Sequence, residues 1–248
     1  MSIGTLTESP AADMISERLA RADWNHVSHQ LHNTGYATIS QLLTPEQCAF
    51  MRELYDQPLG YRKTVVMERF RFGRGEYKYF DYPLPDLVHT IRREVYPRLV
   101  GVANTWMQQL KIQKSFPEAH EDLVRECHDH GQRKPTPLIL KYGERGFNTL
   151  HQDLYGDVYF PLQAVILLSD RDTDFTGGEF VLTQQNPRAQ SKAIVLRPDI
   201  GDMIIFTTNF RPVAGRNGFY RAAMKHGVSE VTSGERYTLG IIFHDALS

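Results

Sequence analysis

His151-Gln152-Asp153 places an imidazole and a carboxylate two residues apart. On an extended chain, residues at that spacing point to the same face. His226 lies far along the chain, in Lys225-His226-Gly227-Val228. A third ligand returning from a distant strand would close one triangular face around a metal ion. Two neutral imidazoles and one carboxylate, with the opposite face open, form the facial triad that suits an Fe(II) centre able to take up O2. The chain has ten histidines, and short motifs match by chance, so the pair alone decides little. Its context adds weight: it follows a strand-like stretch, and Arg236 stands beyond His226 at the start of an alternating segment.

Arg236 has a chemical use beside such a centre. Oxygen activation there needs a two-electron donor held on the open metal face. 2-Oxoglutarate binds iron through its keto-acid end and leaves its far carboxylate buried. A guanidinium gives that carboxylate a bidentate, permanently charged partner. Thr238 falls on the same strand face as Arg236, and Tyr142 can bring a further hydroxyl from the strand before His151. Taken alone, Arg236 after the turn Ser233-Gly234-Glu235 reads as a solvated edge residue. Behind three ligands in order, it reads as the cosubstrate partner. No side-chain nucleophile is required, so Asp153 is read as a ligand and not as a general base.

Two other histidine clusters are read as structural. Cys127-His128-Asp129-His130 lacks the paired spacing of a zinc module and has no second cluster to complete one, so it reads as a polar helix end. His26, His29 and His32 recur at helical spacing and read as a solvated helix face.

The elements that must position these residues divide the chain. Residues 1–134 read as mainly helical: an amphipathic helix over 12–32 stopping at Gly35, a short strand over 36–39, and a helix from Pro45 to about Tyr55. Thr44 is the expected N-cap of that helix and Gln47 its capping-box partner. A long helix over 86–110 carries a bend at Pro97, and another helix covers 117–130. After Pro135-Thr136-Pro137 the pattern changes. Strands are expected over 138–142, 160–168, 179–183, 193–196, 203–207 and 237–243, with Gly and Pro between them. Many short strands with turn signals suggest a double-sheet jelly roll. The expected fold class is therefore α+β: a double-stranded β-helix (jelly roll) core over 135–248, with the N-terminal helical region packed on one sheet. The two parts form one integrated domain.

Composition narrows the function classes. The chain has 248 residues, 41% of them hydrophobic, enough to bury a sizeable core. A formal charge of -1 argues against a globally basic nucleic-acid binder while leaving room for a local patch. Two cysteines, Cys48 and Cys127, do not make a disulfide framework and suit a reducing cytoplasm. Residues 1–20 lack an apolar core of signal-peptide type, and no apolar run is long enough to span a membrane.

The second half resembles the 2-oxoglutarate/Fe(II)-dependent dioxygenases. Nearly the whole chain is similar to one bacterial branch, described as oxygenases for oxidative demethylation of damaged DNA. The phrases that carry the closer match are Gly73-Arg74-Gly75-Glu76-Tyr77-Lys78-Tyr79-Phe80, Leu150-His151-Gln152-Asp153-Leu154-Tyr155-Gly156, Asp174-Phe175-Thr176-Gly177-Gly178-Glu179-Phe180 and Leu239-Gly240-Ile241-Ile242-Phe243-His244-Asp245. The resemblance implies a distorted jelly roll, with Fe(II) on His151, Asp153 and His226. It implies 2-oxoglutarate on Arg236, helped by Thr238 or Tyr142, and O2 as oxidant. It gives Gly177 and Gly178 a tight turn beside the barrel mouth. It also implies DNA repair as the role and single-stranded or alkylated DNA as the partner.

Residues 61–80 are the candidate recognition segment. Arg69, Arg71, Arg74 and Lys78 are interleaved with aromatics, Tyr77 among them. Cations can track phosphates while rings stack on bases. The same pattern fits an amphipathic hairpin with arginines in water and rings in the core. Arg211, Arg216 and Arg221 add positive charge between the last strands. Two further functions stay open. One is hydroxylation of a protein side chain or free amino acid, which suits the near-neutral charge and Ile242; the well-known DNA-base demethylases usually carry a second arginine at that place. The other is a non-catalytic jelly roll that binds metal as a sensor.

Overall fold

A computed structural model of the protein describes residues 12–248, with side chains from Met14 onward. The N-terminal stretch read for a targeting segment lies partly outside the described residues. Among the described residues, no helix is long and apolar enough to cross a membrane.

The elements run in the order α1 (Ala12–Arg21), α2 (Trp24–Thr34), β1 (Tyr36–Ile39), α3 (Pro45–Tyr55), β2 (Tyr61–Val66), a 3-10 turn (Met67–Phe70), β3 (Gly73–Arg74), β4 (Glu76–Phe80), α4 (Asp86–Gln109) and α5 (His120–Asp129). Then follow β5 (Leu138–Tyr142), β6 (Phe147–His151), β7 (Leu162–Leu167), β8 (Phe175–Gly177), β9 (Phe180–Gln185), β10 (Ser191–Leu196), β11 (Met203–Thr207), β12 (Phe210–Gly215), β13 (Gly218–Val228), β14 (Val231–Gly234) and β15 (Arg236–Ile242).

Local chemistry sets several of these boundaries. The single helix expected over 12–32 is two helices, because Asp23 ends the first and caps the second. Its carboxylate accepts from the His26 N–H at 2.9 Å, a bond that competes with a continuous helix. Thr44 and Gln47 form the expected capping box, with Pro45 in the first turn of α3. Pro97 sits inside α4. Of the expected strands, 160–168 begins later, at Leu162, since Phe160 and Pro161 lead into it.

A seven-stranded sheet in the order β1-β11-β7-β15-β5-β4-β2 faces a smaller one in the order β10-β9-β13-β6-β3, with β12 paired to β13. The pairings between these strands are antiparallel. The layout is the expected jelly roll with helices on one sheet. The N-terminal part is not only helical: β1, β2 and β4 extend the large sheet, and β3 joins the small one.

Strand parity explains how one sheet serves two purposes. Along β15, Tyr237, Leu239 and Ile241 enter the main core with α4 residues such as Leu87, Ile91 and Leu99. The alternate residues Arg236, Thr238, Gly240 and Ile242 line the cavity between the sheets. Arg92 of α4 pins the end of β15 from the helical side. It pairs with Asp245 at 2.7 Å and donates to the carbonyls of Ile242 and Phe243, each at 2.9 Å. The buried Arg92 is thus fully partnered, in contrast with a second buried arginine described next.

Candidate active site

His151 ends β6 and His226 lies in β13, directly across from it in the register of the pair. Opposed residues on antiparallel strands bring their side chains together, and the two imidazoles have centroids 4.2 Å apart. The β13–β6 register shifts between His226 and Val228. Gly227 sits at this irregularity, where a Cβ would come within 2.6 Å of the Asn148 carbonyl; only glycine allows the strands so close. Bulges of this sort re-aim side chains at functional sites. Asp153 follows β6 and places Oδ1 3.5 Å from His151 Nε2 and Oδ2 3.2 Å from His226 Nε2. One ligand atom from each of the three lies within 4.8 Å of the others.

Hydrogen bonds and burial set the protonation preferences of the three groups. His151 Nδ1 is 2.8 Å from the Thr149 carbonyl. A carbonyl only accepts, so the proton belongs on Nδ1 and the Nε2 lone pair faces Asp153. Burial, then the nearby His151, lowers the pKa of His226 and keeps that ring neutral. Burial opposes charge on His151 too, but the Asp153 carboxylate and the Thr149 carbonyl outweigh it and raise its pKa. Burial alone would raise the pKa of Asp153; the two imidazoles reverse this and hold its carboxyl well below the usual range. His226 Nδ1 is buried with no hydrogen-bond partner. A buried carboxylate between the Nε2 atoms of two imidazoles fits the donor set for Fe(II).

The cavity between the sheets has a volume of about 240 Å³ and reaches from these three residues to Arg236, Thr238 and Tyr142. Arg236 is 2% exposed. Its Nε and Nη1 have no hydrogen-bond partner, and no carboxylate among the described residues forms an ion pair with it. Burial draws its pKa down to about 10. A solvated edge residue would not be so placed. An unpaired buried charge is strongly unfavourable, so an anion in this pocket would relieve it. The Tyr142 ring lies 5.6 Å from the guanidinium carbon, and burial pushes its hydroxyl up to about 12, so it remains a neutral donor.

A family model described as "oxygenase, catalysing oxidative methylation of damaged DNA" matches residues 75–246, more than half of the chain. The chain belongs to this oxygenase family. An uncharacterized protein of Mycobacterium tuberculosis (strain ATCC 25618 / H37Rv), Rv2227, is 44% identical over 167 residues, which is 67% of this chain and 72% of the relative. A prolyl hydroxylase from Trichoplax adhaerens, solved with a peptide of the hypoxia inducible factor oxygen degradation domain, superposes with a TM-score of 0.51 at 15% identity, covering 95% of this chain and 93% of that one. A 2OG-Fe(II) oxygenase family oxidoreductase from Burkholderia pseudomallei gives a TM-score of 0.50 at 16% identity over 91% and 94% of the two chains. The α-ketoglutarate-dependent epimerase SnoN from nogalamycin biosynthesis gives 0.52 at 13% over 88% and 81%. These likenesses show the fold, one shared with a 2OG-Fe(II) oxygenase family member and with an α-ketoglutarate-dependent epimerase.

In this oxygenase the Gly177-Gly178 turn lies against Arg236. Both glycines have positive φ, 72° and 61°, and a Cβ on Gly178 would stand 2.8 Å from Arg236 Cδ. Gly178→Ala is therefore expected to cost about 1–3 kcal/mol in backbone strain and to weaken 2-oxoglutarate binding by displacing the guanidinium. Calorimetric titration with 2-oxoglutarate checks this. Wild-type affinity in the folded variant would show that Gly178 does not set Arg236.

The substrate candidates divide by strand parity. Tyr77 lines the cavity. Lys78 is not brought to it: its Nζ donates to the Tyr55 carbonyl at 2.8 Å and lies 4.2 Å from the Tyr55 ring centroid, on the side of α3. Arg69, Arg71 and Arg74 are exposed on the turn and strand around Phe72, which lines the cavity. Thr149 holds this rim to β6 through its N–H and Oγ1, both donating to the Phe72 carbonyl at 2.9 Å. Arg211 does not add to a basic surface. It is 7% exposed, with its guanidinium on Gln184 Oε1 and the His32 carbonyl. Arg216 and Arg221 are exposed.

Residues 127–130 close α5: Cys127 is buried, and His128 Nε2 lies 2.9 Å from Asp245 Oδ2. His32 is tied to the Trp106 indole N–H at 3.1 Å, so it is not merely solvated. Sequence reasoning missed Tyr155, whose hydroxyl donates to Asp153 Oδ1 at 2.8 Å. Its position two residues after the carboxylate was the available signal. It also missed Phe206, whose ring lies 4.9 Å from that of His226.

Proposed function

We propose that this oxygenase removes methyl groups oxidatively from alkylated nucleobases in single-stranded or locally opened DNA, using Fe(II), 2-oxoglutarate and O2. The observation that carries the reading is the unpaired, buried Arg236 guanidinium in the same cavity as His151, Asp153 and His226. His151, Asp153 and His226 would hold Fe(II), and Arg236 would take the far carboxylate of 2-oxoglutarate, with Thr238 and Tyr142 beside it. When bound, this pair supplies O2-derived hydroxylating power and releases succinate and CO2. The protein's part is placement and exclusion. Apolar Leu138, Leu140 and Val165 line the cavity and keep water from competing for the oxidant. Hydroxylation of an N-methyl group leaves a hemiaminal that collapses to formaldehyde and the repaired base without help from a side-chain nucleophile.

Nucleic acid is supported by the rim. Phe70 and Phe72 are 54% and 46% exposed and stack with centroids 5.5 Å apart, beside exposed Arg69, Arg71 and Arg74. Rings that stay in water at the mouth of a cavity suit base stacking, and the cations suit phosphates. A base in a duplex would have to be flipped to reach the metal residues. The free, buried Cys48 and Cys127 suit a cytoplasmic enzyme. Replacing Arg69, Arg71 and Arg74 together with glutamine is expected to weaken binding to single-stranded DNA and to flatten its salt dependence by about two log units per log unit of salt, at ~0.7 per phosphate contact. Unaltered binding would remove the rim from recognition.

Ile242 favours a second reading, hydroxylation of a protein side chain or amino acid. It lines the cavity with no charge to offer a base. Formaldehyde release from methylated single-stranded DNA, run beside a peptide and amino-acid panel, separates the two. Release from DNA alone supports demethylation, and turnover only with the panel overturns it.

A further inference from the structure

The Asp153 carboxylate is gripped at Oδ1, the oxygen away from His226; this oxygen also stands 3.5 Å from His151 Nε2. Tyr155 donates its hydroxyl proton to Asp153 Oδ1 at 2.8 Å, and Tyr79 donates to the Tyr155 oxygen at 3.1 Å. Each phenol has one proton and an ionised carboxylate only accepts, so the chain runs in one direction: Tyr79 to Tyr155 to Asp153. The other carboxylate oxygen, Oδ2, is the one 3.2 Å from His226 Nε2. Tyr79 is itself fixed. It is 6% exposed, and the Arg62 guanidinium carbon lies 4.4 Å from its ring centroid. Arg62 is anchored in turn by donating from Nε to the Pro135 carbonyl at 2.8 Å. The Tyr79 and Tyr155 rings meet edge to face, with centroids 6.2 Å apart.

A carboxylate can bind a hard cation through one oxygen or both. Two-oxygen binding would take a position that the open face needs for 2-oxoglutarate and O2. A hydrogen bond held on Oδ1 opposes it. Outer partners of this kind orient metal ligands and are as much a part of a metal site as the ligands themselves.

We propose that Tyr155 is a positioning residue that reserves Asp153 Oδ2 as the single metal-binding oxygen, and that Tyr79 sets the Tyr155 hydroxyl for this purpose. The proposal rests on the metal-centre reading above. It also joins that centre to β4, which carries Tyr77 and Tyr79 on the cavity face, so the strand lining the substrate side is mechanically linked to a metal ligand.

The test is titration of the full-length apo-protein with Co(II), read by affinity and by visible ligand-field absorption, which reports coordination without turnover. Tyr155→Phe is expected to weaken Co(II) binding about 10–100-fold and to alter the absorption, with the apo thermal midpoint as a control for folding. Tyr79→Phe keeps the ring under Arg62 and is expected to give a smaller loss with the same change in absorption. In the Tyr155→Phe background it should add nothing, because its route runs through Tyr155. Wild-type affinity and absorption in Tyr155→Phe would overturn the proposal. Fully additive losses would overturn the relay from Tyr79. A wild-type protein that did not take up Co(II) would instead overturn the metal-centre reading on which the proposal stands.

Discussion

Asp153→Ala is expected to abolish succinate formation from 2-oxoglutarate and to remove tight metal binding, while the apo-protein stays folded. The effect should exceed the roughly 10–100-fold that loss of an outer partner costs, because Asp153 is the only anion in the constellation. Two imidazoles remain in the variant, with no negative charge to offset the cation where Asp153 and His226 are mostly buried. Folding should tolerate the change. Asp153 lies after β6, outside the regular sheet, and its side chain contacts His151, His226 and Tyr155 rather than backbone groups. Asp153→Asn keeps the shape and the Tyr155 hydrogen bond but removes the charge, and should fall between wild type and alanine. Iron content after reconstitution, with succinate measured on the same sample, checks the ordering. An alanine variant that loads iron and turns over normally would eliminate the triad.

Much of this site was legible because the chemistry depends on residue type and strand parity, which the sequence displays. His151 and Asp153 sit two apart, Arg236 and Thr238 sit two apart, and each pair shares its surroundings: the first at the candidate metal cluster, the second on the cavity face of β15. The capping box of α3 was legible for the same reason, since its partners are local. What could not be read was register between distant strands. Nothing local says that His226 falls directly opposite His151, or that the strands close up at Gly227. Arg211 shows the same limit: its partners, Gln184 and the His32 carbonyl, come from other elements, so a charge that looked solvated is inside. Lys78 is a different case. Tyr77 and Lys78 are neighbours, and neighbours on a strand face opposite ways, so a strand through 76–80 already forbade placing both in one pocket. The basic-aromatic composition of the segment outweighed its parity, and residues 61–80 divide between two environments. The hairpin of β2 and β4 packs Val65 and Tyr79 inside, while the turn between them leaves Phe70, Phe72 and the arginines at the rim.

Replacing Arg236 by methionine should separate binding from stability in opposite directions. Arg236 is buried, forms no ion pair with a carboxylate among the described residues, and has two of its nitrogens unpartnered. Arg92 shows what the fold does with a buried guanidinium when the protein itself supplies the partner; Asp245 meets it at 2.7 Å. For Arg236 the partner must come from outside. Methionine keeps much of the volume and the stem packing against Gly178, and it removes the desolvated charge. Buried ionic groups exchanged for well-packed apolar ones leave proteins as stable or more stable, by about 1–4 kcal/mol, so the apo midpoint of Arg236→Met should hold or rise. Its affinity for 2-oxoglutarate should fall by about 2–5 kcal/mol, the range for removing one partner of a buried charge pair, or roughly 30- to 4,000-fold. The loss should appear in the cosubstrate KM, since the far carboxylate is bound alike before and during the reaction. Thermal shift gives a second readout. Wild-type protein with a metal ion should gain stability as 2-oxoglutarate is added, by mass action on the native state, and the variant should not. Equal thermal responses in the two proteins, with an unchanged KM, would mean that the guanidinium does not receive the cosubstrate, and its burial would then lack the anion that makes it reasonable.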